Sequence, residues 1–183
     1  MDRRQRKTRN AIFTAFTQLL SEKSYDQITV GQIIARADVG RATFYAHFET
    51  KEYLLKALCQ ELFAHVFEAQ TGDDKAHSYI FDCDDTDAAF LHLFRHLQKN
   101  DNHILDLLSC RSNELFLDYF KNELRKLAES QKAAFDRNRV AELPESFWID
   151  HICATFVATV RWWIENGMEE TPEQINHYFF LAV

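Results

Sequence analysis

Helix-breaking residues are almost absent from this chain, and their scarcity constrains the fold more than any other feature of the sequence. Four glycines and two prolines are spread over 183 residues, whereas average usage would give about 22 of them. Most other positions hold residues that helices accept, with many Leu, Ala, Glu, Lys and Gln. The sequence therefore predicts an all-α fold in which helices are joined by short connections.

Hydrophobic periodicity locates the helices along the chain. It predicts a long first helix over residues 3–22, a second that opens at Thr29 with Gln32 in a capping box, a short third over 41–48, and a fourth capped by Thr50. Periodicity fades over residues 70–85, where five aspartates accumulate, and it returns over 86–100, 102–109, 112–135, 145–166 and 171–183. We expect a first helical domain over residues 1–50 and a second helical domain over residues 51–183.

Charge is distributed unevenly along the chain. Residues 1–56 hold ten basic and six acidic side chains, a net charge of +4, and the remainder holds 11 basic and 22 acidic ones, a net charge of −11. A polyanion attracts the first segment and repels the second. The asymmetry is compatible with one end facing nucleic acid. The basic segment Arg3–Arg9 either reaches the DNA backbone or minor groove or is a solvated start of the helix.

A helix-turn-helix pattern stands in the first third of the chain. Between Thr29 and Glu52 a short helix, a three-residue turn and another short helix follow a longer supporting helix. This segment resembles the DNA-binding segment of the tetracycline-repressor (TetR/AcrR) family. The matching residues are Tyr25, Thr29, Val30, Ile33, Ile34, Ala35, Ala37, Val39, Thr43, Phe44, Tyr45, His47, Phe48, Lys51 and Glu52. The resemblance implies a transcriptional regulator.

The third helix has two chemically different faces. Phe44 and Phe48 are four residues apart and share the face that we expect to pack on the first two helices. Arg41 and Ala42, with Gly40 before them, then lie toward base edges in the major groove, where small side chains permit close approach. Arg41 is the candidate for a bidentate contact with guanine, and a phosphate contact by the same side chain stays open.

Five further side chains are candidate phosphate contacts. The resemblance implies this role for Tyr45, His47 and Lys51, whose phenol, imidazole and ammonium groups donate to phosphate oxygens without selecting a base. The hydroxyls of Thr29 and Thr43 have the same capacity. For Thr29 a pure N-cap role is the alternative.

Two positions in the turn depart from the family pattern. The family has glycine where this chain has Asp38, at the point where a left-handed residue ends the second helix, and serine where this chain has Gly40. Aspartate tolerates the left-handed region better than most residues, and glycine is a weaker but accepted cap. The charge of Asp38 near DNA is expected to lower affinity.

The C-terminal part is unusually aromatic, which suits a cavity for a flat or apolar effector and equally suits a packed core. The resemblance places the effector pocket between the fourth and the penultimate helix, with the candidates Phe63, Phe67, Phe94, Phe116, Phe120 and Phe156. It places a four-helix dimer interface on the last two helices, with the candidates Trp162, Trp163, Tyr178, Phe179 and Phe180. Residues 156–167 also resemble a subgroup that includes regulators of dihydroxyacetone kinase genes, which opens the alternative that the input is a protein partner.

No metal site or cofactor is assigned from the sequence. His92 and His96 have the i,i+4 spacing that zinc sites use. The spacing of His103 and Cys110 does not require either to be a third ligand, so the default interpretation is that the histidines are buried in the core or solvated. The four cysteines, Cys59, Cys83, Cys110 and Cys153, form no C-x-x-C pair and indicate reduced thiols in a cytosolic protein. No secretory signal or membrane-length apolar run is expected.

The resemblance implies a cytoplasmic, nucleoid-associated homodimer that binds a near-palindromic double-stranded operator as a repressor. It implies a helix-turn-helix DNA-binding domain over residues 1–50 and a helical effector-binding and dimerisation domain over residues 51–183. An effector in the C-terminal domain would shift the fourth helix and release the DNA. Two alternatives stay open. One is a helical interaction protein of the same fold that responds to a protein partner and binds DNA weakly or not at all. The other is an enzyme that uses a metal held by His92, His96 and Cys110; we expect no enzymatic activity.

Overall fold

The computed structural model describes residues 3–71, 88–99, 104–109, 114–135 and 142–183, with the side chains of residues 68–71, 106 and 109 left aside. Helices form most of this part of the chain, and no strand occurs within it. In chain order they are α1 (Arg3–Glu22), α2 (Val30–Ala37), α3 (Arg41–His47), α4 (Lys51–Thr71), α5 (Ala89–Lys99), α6 (Ile104–Ser109), α7 (Glu114–Ser130), α8 (Lys132–Phe135), α9 (Glu145–Glu165) and α10 (Pro172–Ala182). The predicted all-α fold is confirmed.

Side-chain caps set several helix starts at the predicted residues. Thr29 forms a capping box with Gln32, and Thr171 forms another with Gln174, so in each case two backbone N–H groups gain partners. The Thr50 hydroxyl accepts a hydrogen bond of 3.0 Å from the Tyr53 N–H at the start of α4. These caps are local interactions, which explains why sequence spacing predicts them.

One predicted helix is divided in the structure. The segment over residues 112–135 becomes α7 and the short α8, which meet at Gln131. The N–H of Gln131 donates to the carbonyls of both Leu127 (3.0 Å) and Ala128 (3.2 Å). Such sharing of one donor is common where a helix tightens at its end. Apolar periodicity continues through the break and does not reveal it.

The first three helices pack as a unit around aromatic side chains. Phe13 of α1 lies against Phe48 with ring centroids 5.2 Å apart in an edge-to-face arrangement, and Phe44 of α3 lies 6.0 Å from Phe48. All three rings are fully buried, together with Ile33 of α2. Burial of each such ring stabilises the fold by about 1.5–3 kcal/mol, and these rings are continuous with the buried core of the other helices.

The remaining helices form a bundle that begins with α4. Helix α4 packs against α5 and α7, α7 packs against α9, and α10 lies against both α5 and α9. Phe94 of α5 stacks on Phe156 of α9 at 4.7 Å, and Phe90 lies 5.2 Å from Phe179 of α10. Among the helices described, none is both long and apolar enough to cross a membrane.

Candidate nucleic-acid interface

The turn between α2 and α3 is formed by residues 38–40. Asp38 ends α2 in the left-handed conformation (φ 52°, ψ 49°), as the sequence predicted, and the N–H groups of Asp38 and Val39 both donate to the carbonyl of Ile34. A non-glycine residue in this region carries backbone strain. The two hydrogen bonds to Ile34 close the helix end and hold the direction in which α3 leaves it.

Gly40 precedes α3 in extended backbone (φ −73°, ψ 152°), which any residue adopts. A Cβ atom at this position would lie 3.6 Å from the Thr43 hydroxyl oxygen, an ordinary contact. Neither backbone nor space requires glycine here. The consequence of Gly40 is the loss of a side-chain cap and a bare surface at the start of α3.

The two faces of α3 are separated as the sequence predicted. Phe44 is fully buried, whereas Arg41, Ala42 and Thr43 are exposed and Tyr45 is 46% exposed. The Tyr45 ring lies against Phe44 in an edge-to-face arrangement with ring centroids 5.5 Å apart. The exposed face therefore offers a guanidinium, two small side chains and a phenol along two turns.

Thr29 and His47 flank this surface. The Thr29 hydroxyl oxygen accepts the Gln32 N–H at 3.3 Å as a cap, and its own O–H is left for a further acceptor. His47 is half-buried at the end of α3, and burial, followed by the nearby charge of Arg9, lowers the pKa of its imidazole below the usual 6.5. His47 is therefore neutral near pH 7 in the free protein and presents a neutral N–H donor.

Lys51 is engaged inside the protein to an extent that the sequence did not reveal. Its Nζ atom donates to the carbonyls of Tyr25 (3.0 Å) and Ile28 (2.9 Å) and lies 4.0 Å from the centre of the Tyr25 ring. These contacts tie the start of α4 to the connection between α1 and α2. An ammonium group has three N–H donors, and the two carbonyls accept from two of them.

Arg9 also has an internal position, which corrects the interpretation of residues 3–9 as one basic arm or solvated start. Its guanidinium forms an ion pair of 3.1 Å with Glu61 of α4 and lies 5.0 Å and 4.9 Å from the ring centres of Phe13 and Phe48. Arg9 therefore joins α1 to α4 through charge and ring contacts. The i,i+4 spacing of Arg9 and Phe13 is a local signal for that one ring contact, whereas Glu61 and Phe48 are distant in sequence and gave none.

A bidentate ion pair holds α2 against the end of α1. Arg36 donates to both carboxylate oxygens of Glu22, at 2.5 Å and 2.9 Å. The hydrogen bond and charge of Arg36 lower the pKa of the Glu22 carboxyl. The pair is at the surface, so its effect is mainly to fix geometry, since forked pairs of this kind define the angle between the groups.

The aromatic candidates for an effector pocket pack on one another. Phe63, Phe94, Phe116, Phe120 and Phe156 are at most 1% exposed, and Phe67 is partly buried against the same core. Phe120 lies 5.1 Å from Phe63 and 6.2 Å from Phe156. In this conformation the rings fill the space between α4, α5, α7 and α9. Their role in effector binding stays a prediction.

The candidates for a dimer interface divide into two groups. Trp162 and Tyr178 are 45% and 44% exposed and lie 6.5 Å apart on α9 and α10. Trp163 and Phe179 are fully buried within the chain, and the Trp163 indole N–H donates to the carbonyl of Glu170. The expectation of an interface contact is corrected for these two residues, because neither has surface left for a partner.

The histidine pair of α5 has a third member that spacing alone did not find. His65 of α4 lies with His92 and His96 in the core, and the pair is buried as expected for core histidines. The sequence separation of 27 residues between His65 and His92 gave no signal. His103 and Cys110 lie outside the described residues.

A supported three-helix unit with an exposed third helix, followed by a helical bundle, defines a helix-turn-helix DNA-binding regulator. Comparison with known proteins agrees. Residues 12–58 match the family model described as bacterial regulatory proteins, tetR family, and residues 84–182 match a model described as transcriptional regulator C-terminal region. The chain belongs to the TetR family of transcriptional regulators.

Individual relatives show the same similarity. A solved TetR transcriptional regulator from Streptococcus agalactiae is 33% identical with a TM-score of 0.73, over 100% of this chain and 96% of that one. The dhaKLM operon transcriptional activator DhaS of Lactococcus lactis is 27% identical over 92% of this chain and 86% of that protein. The regulator YxbF of Bacillus subtilis is 39% identical over 39% of this chain, a match that spans only 19% of YxbF.

Proposed function

We propose that this protein is a homodimeric repressor that binds a near-palindromic operator through α3 and leaves it when an effector binds the C-terminal part. In this proposal residues 1–50 form the DNA-binding domain and residues 51–183 the effector-binding and dimerisation domain. The observation that carries it is the division of α3 into two faces, in which Arg41, Ala42 and Tyr45 are exposed and Phe44 is buried.

The proposed contacts follow from the chemistry of that face. Arg41 contacts guanine in the major groove, while Gly40 and Ala42 permit close approach of the backbone to base edges. Tyr45, Thr43 and Thr29 donate hydroxyl protons to phosphates, and His47 and Lys51 donate N–H groups. His47 is half-buried and Lys51 has two carbonyl partners, so contacts within the protein hold both side chains before DNA binds.

DNA binding can be measured by fluorescence anisotropy with a duplex taken from upstream of the protein's own gene. Tyr45→Phe should weaken binding about tenfold, as expected for one hydrogen bond to a charged acceptor. Tyr53→Phe is the matched control, because Tyr53 is 47% exposed on α4 and has no proposed contact with DNA. Equal affinities of the two variants would refute the assignment of Tyr45.

Sequence specificity and charge need separate measurements. Arg41→Ala should lose about 1–3 kcal/mol on the operator and much less on random DNA. Affinity should also fall steeply as salt rises, with each phosphate contact adding a slope of about −0.9. If wild-type protein binds neither duplex with a salt slope, the alternative of a helical interaction protein that responds to a protein partner is favoured.

The proposed dimer uses the exposed sides of α9 and α10. Phe147 and Trp162 on α9 and Tyr178 and Leu181 on α10 are between 44% and 72% exposed. Exposed apolar side chains concentrated on two adjacent helices are typical of an interface between copies. A symmetric contact of this surface would join four helices, two from each chain.

Dimerisation is tested by light scattering after size-exclusion chromatography. Trp162→Glu should shift the protein from dimer to monomer, because it places a charge in the centre of the proposed contact. Leu115→Glu is the control, since Leu115 is 37% exposed on α7, a helix that is not part of the proposed contact. A monomeric wild-type protein would refute the homodimer.

Effector release and repression require a functional assay. A reporter gene under the control of the DNA upstream of this protein's gene should be expressed at a higher level when the gene for the protein is deleted. DhaS, by contrast, is a transcriptional activator. Lower reporter expression when the gene is deleted would therefore refute repression and indicate activation. The candidate pocket is tested with Phe120→Leu, which should change the effector concentration at half-release and leave effector-free DNA binding intact.

A further inference from the structure

Three histidines from two helices converge in the core of the bundle. His65 of α4 is 5% exposed, and His92 and His96 of α5 are 0% and 2% exposed. One ring nitrogen from each lies within 4.8 Å of the corresponding atoms of the other two, and the Nε2 atoms of His92 and His96 are 3.0 Å apart. The three ring centroids are 4.8–5.1 Å from one another. The side chains form one compact polar cluster.

Helix geometry explains how the cluster forms. Residues four apart on a helix lie one above the other, so His92 and His96 project from the same side of α5. Helix α5 packs against α4, and His65 meets the pair from that facing helix. The apolar residues beside the histidines on both helices are fully buried, namely Leu62, Val66, Leu93 and Leu97.

Filling this space alone would not require imidazoles. Polar side chains buried in a core cost free energy that Leu or Phe at the same positions would avoid. Three imidazoles whose nitrogens approach one another are also the ligand set of a metal ion, since each neutral ring offers one lone pair. The geometry therefore fits a common ligand held by His65, His92 and His96.

The distances indicate which ions fit. Zn–N bonds of about 2.0–2.1 Å place the nitrogens of a tetrahedral site about 3.4 Å apart, and the cluster brackets this value with separations from 3.0 Å to at most 4.8 Å. Imidazole favours Zn²⁺, Co²⁺, Ni²⁺ and Cu²⁺, whereas Ca²⁺ and Mg²⁺ require oxygen ligands.

We propose that His65, His92 and His96 bind a divalent transition-metal ion, Zn²⁺ foremost, and that the bound ion fixes α4 against α5. Three protein ligands leave a fourth position for water. The consequence for DNA rests on the proposed function. Helix α4 contacts the N-terminal unit through Lys51 and through the pair of Arg9 with Glu61, and Glu61 lies one turn before His65. An ion at His65 would thus bias the orientation of the DNA-binding unit.

Metal binding is tested on the full-length, reduced, chelator-stripped protein. Titration with Zn²⁺ against a chromophoric chelator should show one tight site per chain, and Co²⁺ should give the strong visible bands of tetrahedral nitrogen coordination. A thiolate-to-cobalt charge-transfer band would instead assign the metal to cysteine. That band, or less than one equivalent of bound Zn²⁺, would overturn the proposal.

Variants assign the ligands. His65→Leu and His96→Leu should each weaken Zn²⁺ binding at least tenfold, and His151→Gln, which alters an exposed histidine of α9, should leave it unchanged. Zn²⁺ should raise the thermal stability of wild-type protein. At a free Zn²⁺ concentration of about a hundred times Kd, the equilibrium constant for unfolding should fall about a hundredfold. If the leucine variants fold by circular dichroism and retain wild-type affinity, the three-histidine site is refuted. If they do not fold, the wild-type cobalt spectrum and stoichiometry decide.

The effect on DNA is measured separately with the upstream duplex. Zn²⁺ should change the affinity of wild-type protein for DNA at least about fivefold, the lower range of coupling between sites, and should have no such effect on His65→Leu. Equal affinity with and without Zn²⁺ would refute the coupling. Absence of DNA binding under both conditions would refute the proposed function, while the zinc titration would still decide the metal site.

Discussion

Replacing Lys51 by methionine should destabilise the protein, because the ammonium group connects α4 to the N-terminal unit. Its two hydrogen bonds to the carbonyls of Tyr25 and Ile28, at 3.0 Å and 2.9 Å, involve a charged donor, and such bonds contribute about 1.5–3 kcal/mol. The contact with the Tyr25 ring at 4.0 Å adds about 0.5–1 kcal/mol. All three contacts share one partly exposed side chain, so the combined loss should be about 2 kcal/mol.

Thermal unfolding at fixed protein concentration measures this loss. For a chain of this size about 2 kcal/mol lowers the melting temperature by roughly 4–8 °C. Lys56→Met is the matched control on the same helix, since the Lys56 Nζ atom lies 5.8 Å from the Tyr119 ring and should contribute under about 1 kcal/mol. If Lys51→Met melts within about 1 °C of wild type, the carbonyl contacts do not stabilise the fold.

Three further predictions concern single residues. Asp38→Gly should relieve left-handed strain and, with Asp38→Asn, raise operator affinity about two- to threefold by removing a negative charge near phosphates; unchanged affinity of both variants in anisotropy assays would contradict the charge effect. Burial lowers the pKa of His47 in the folded state, so the contribution of neutral His47 to the free energy of unfolding should be fully present above pH 6.5. That contribution should be lost as pH falls through the lowered pKa, and His47→Gln should flatten this pH dependence in denaturant titrations. Burial raises the pKa of the Cys59 thiol well above its usual range, so iodoacetamide should leave Cys59 unmodified in peptide mass spectra until denaturant is added; rapid labelling of folded protein would argue against the core position.

The local parts of the fold were predictable because they depend on neighbours in sequence. The capping box at Thr29, the left-handed Asp38 and the burial of Phe44 each follow from interactions within one or two helical turns. Helical periodicity also separated the exposed Arg41 and Tyr45 from the buried face of α3. Those residues form the proposed DNA-binding surface, which both the family resemblance and the physical argument locate on α3.

Positions that depend on the approach of distant segments were not predictable in the same way. Arg9 belongs to a basic run, yet Glu61 and two rings from different helices surround it. Trp163 and Trp162 are adjacent in sequence, yet Trp163 is buried beside Phe94 of α5 and Trp162 is exposed. A pattern read along one helix identifies its apolar side without identifying which neighbour covers it.

The sequence by itself determined the all-α class, the helix-turn-helix and the family, because helix propensity, capping and apolar spacing act over a few residues. The tertiary structure alone decided that Lys51 bonds to backbone carbonyls and that His65 joins His92 and His96. These arrangements arise where α4 meets helices far away in sequence. Their contacts depend on how the helices pack, and no local spacing records that packing.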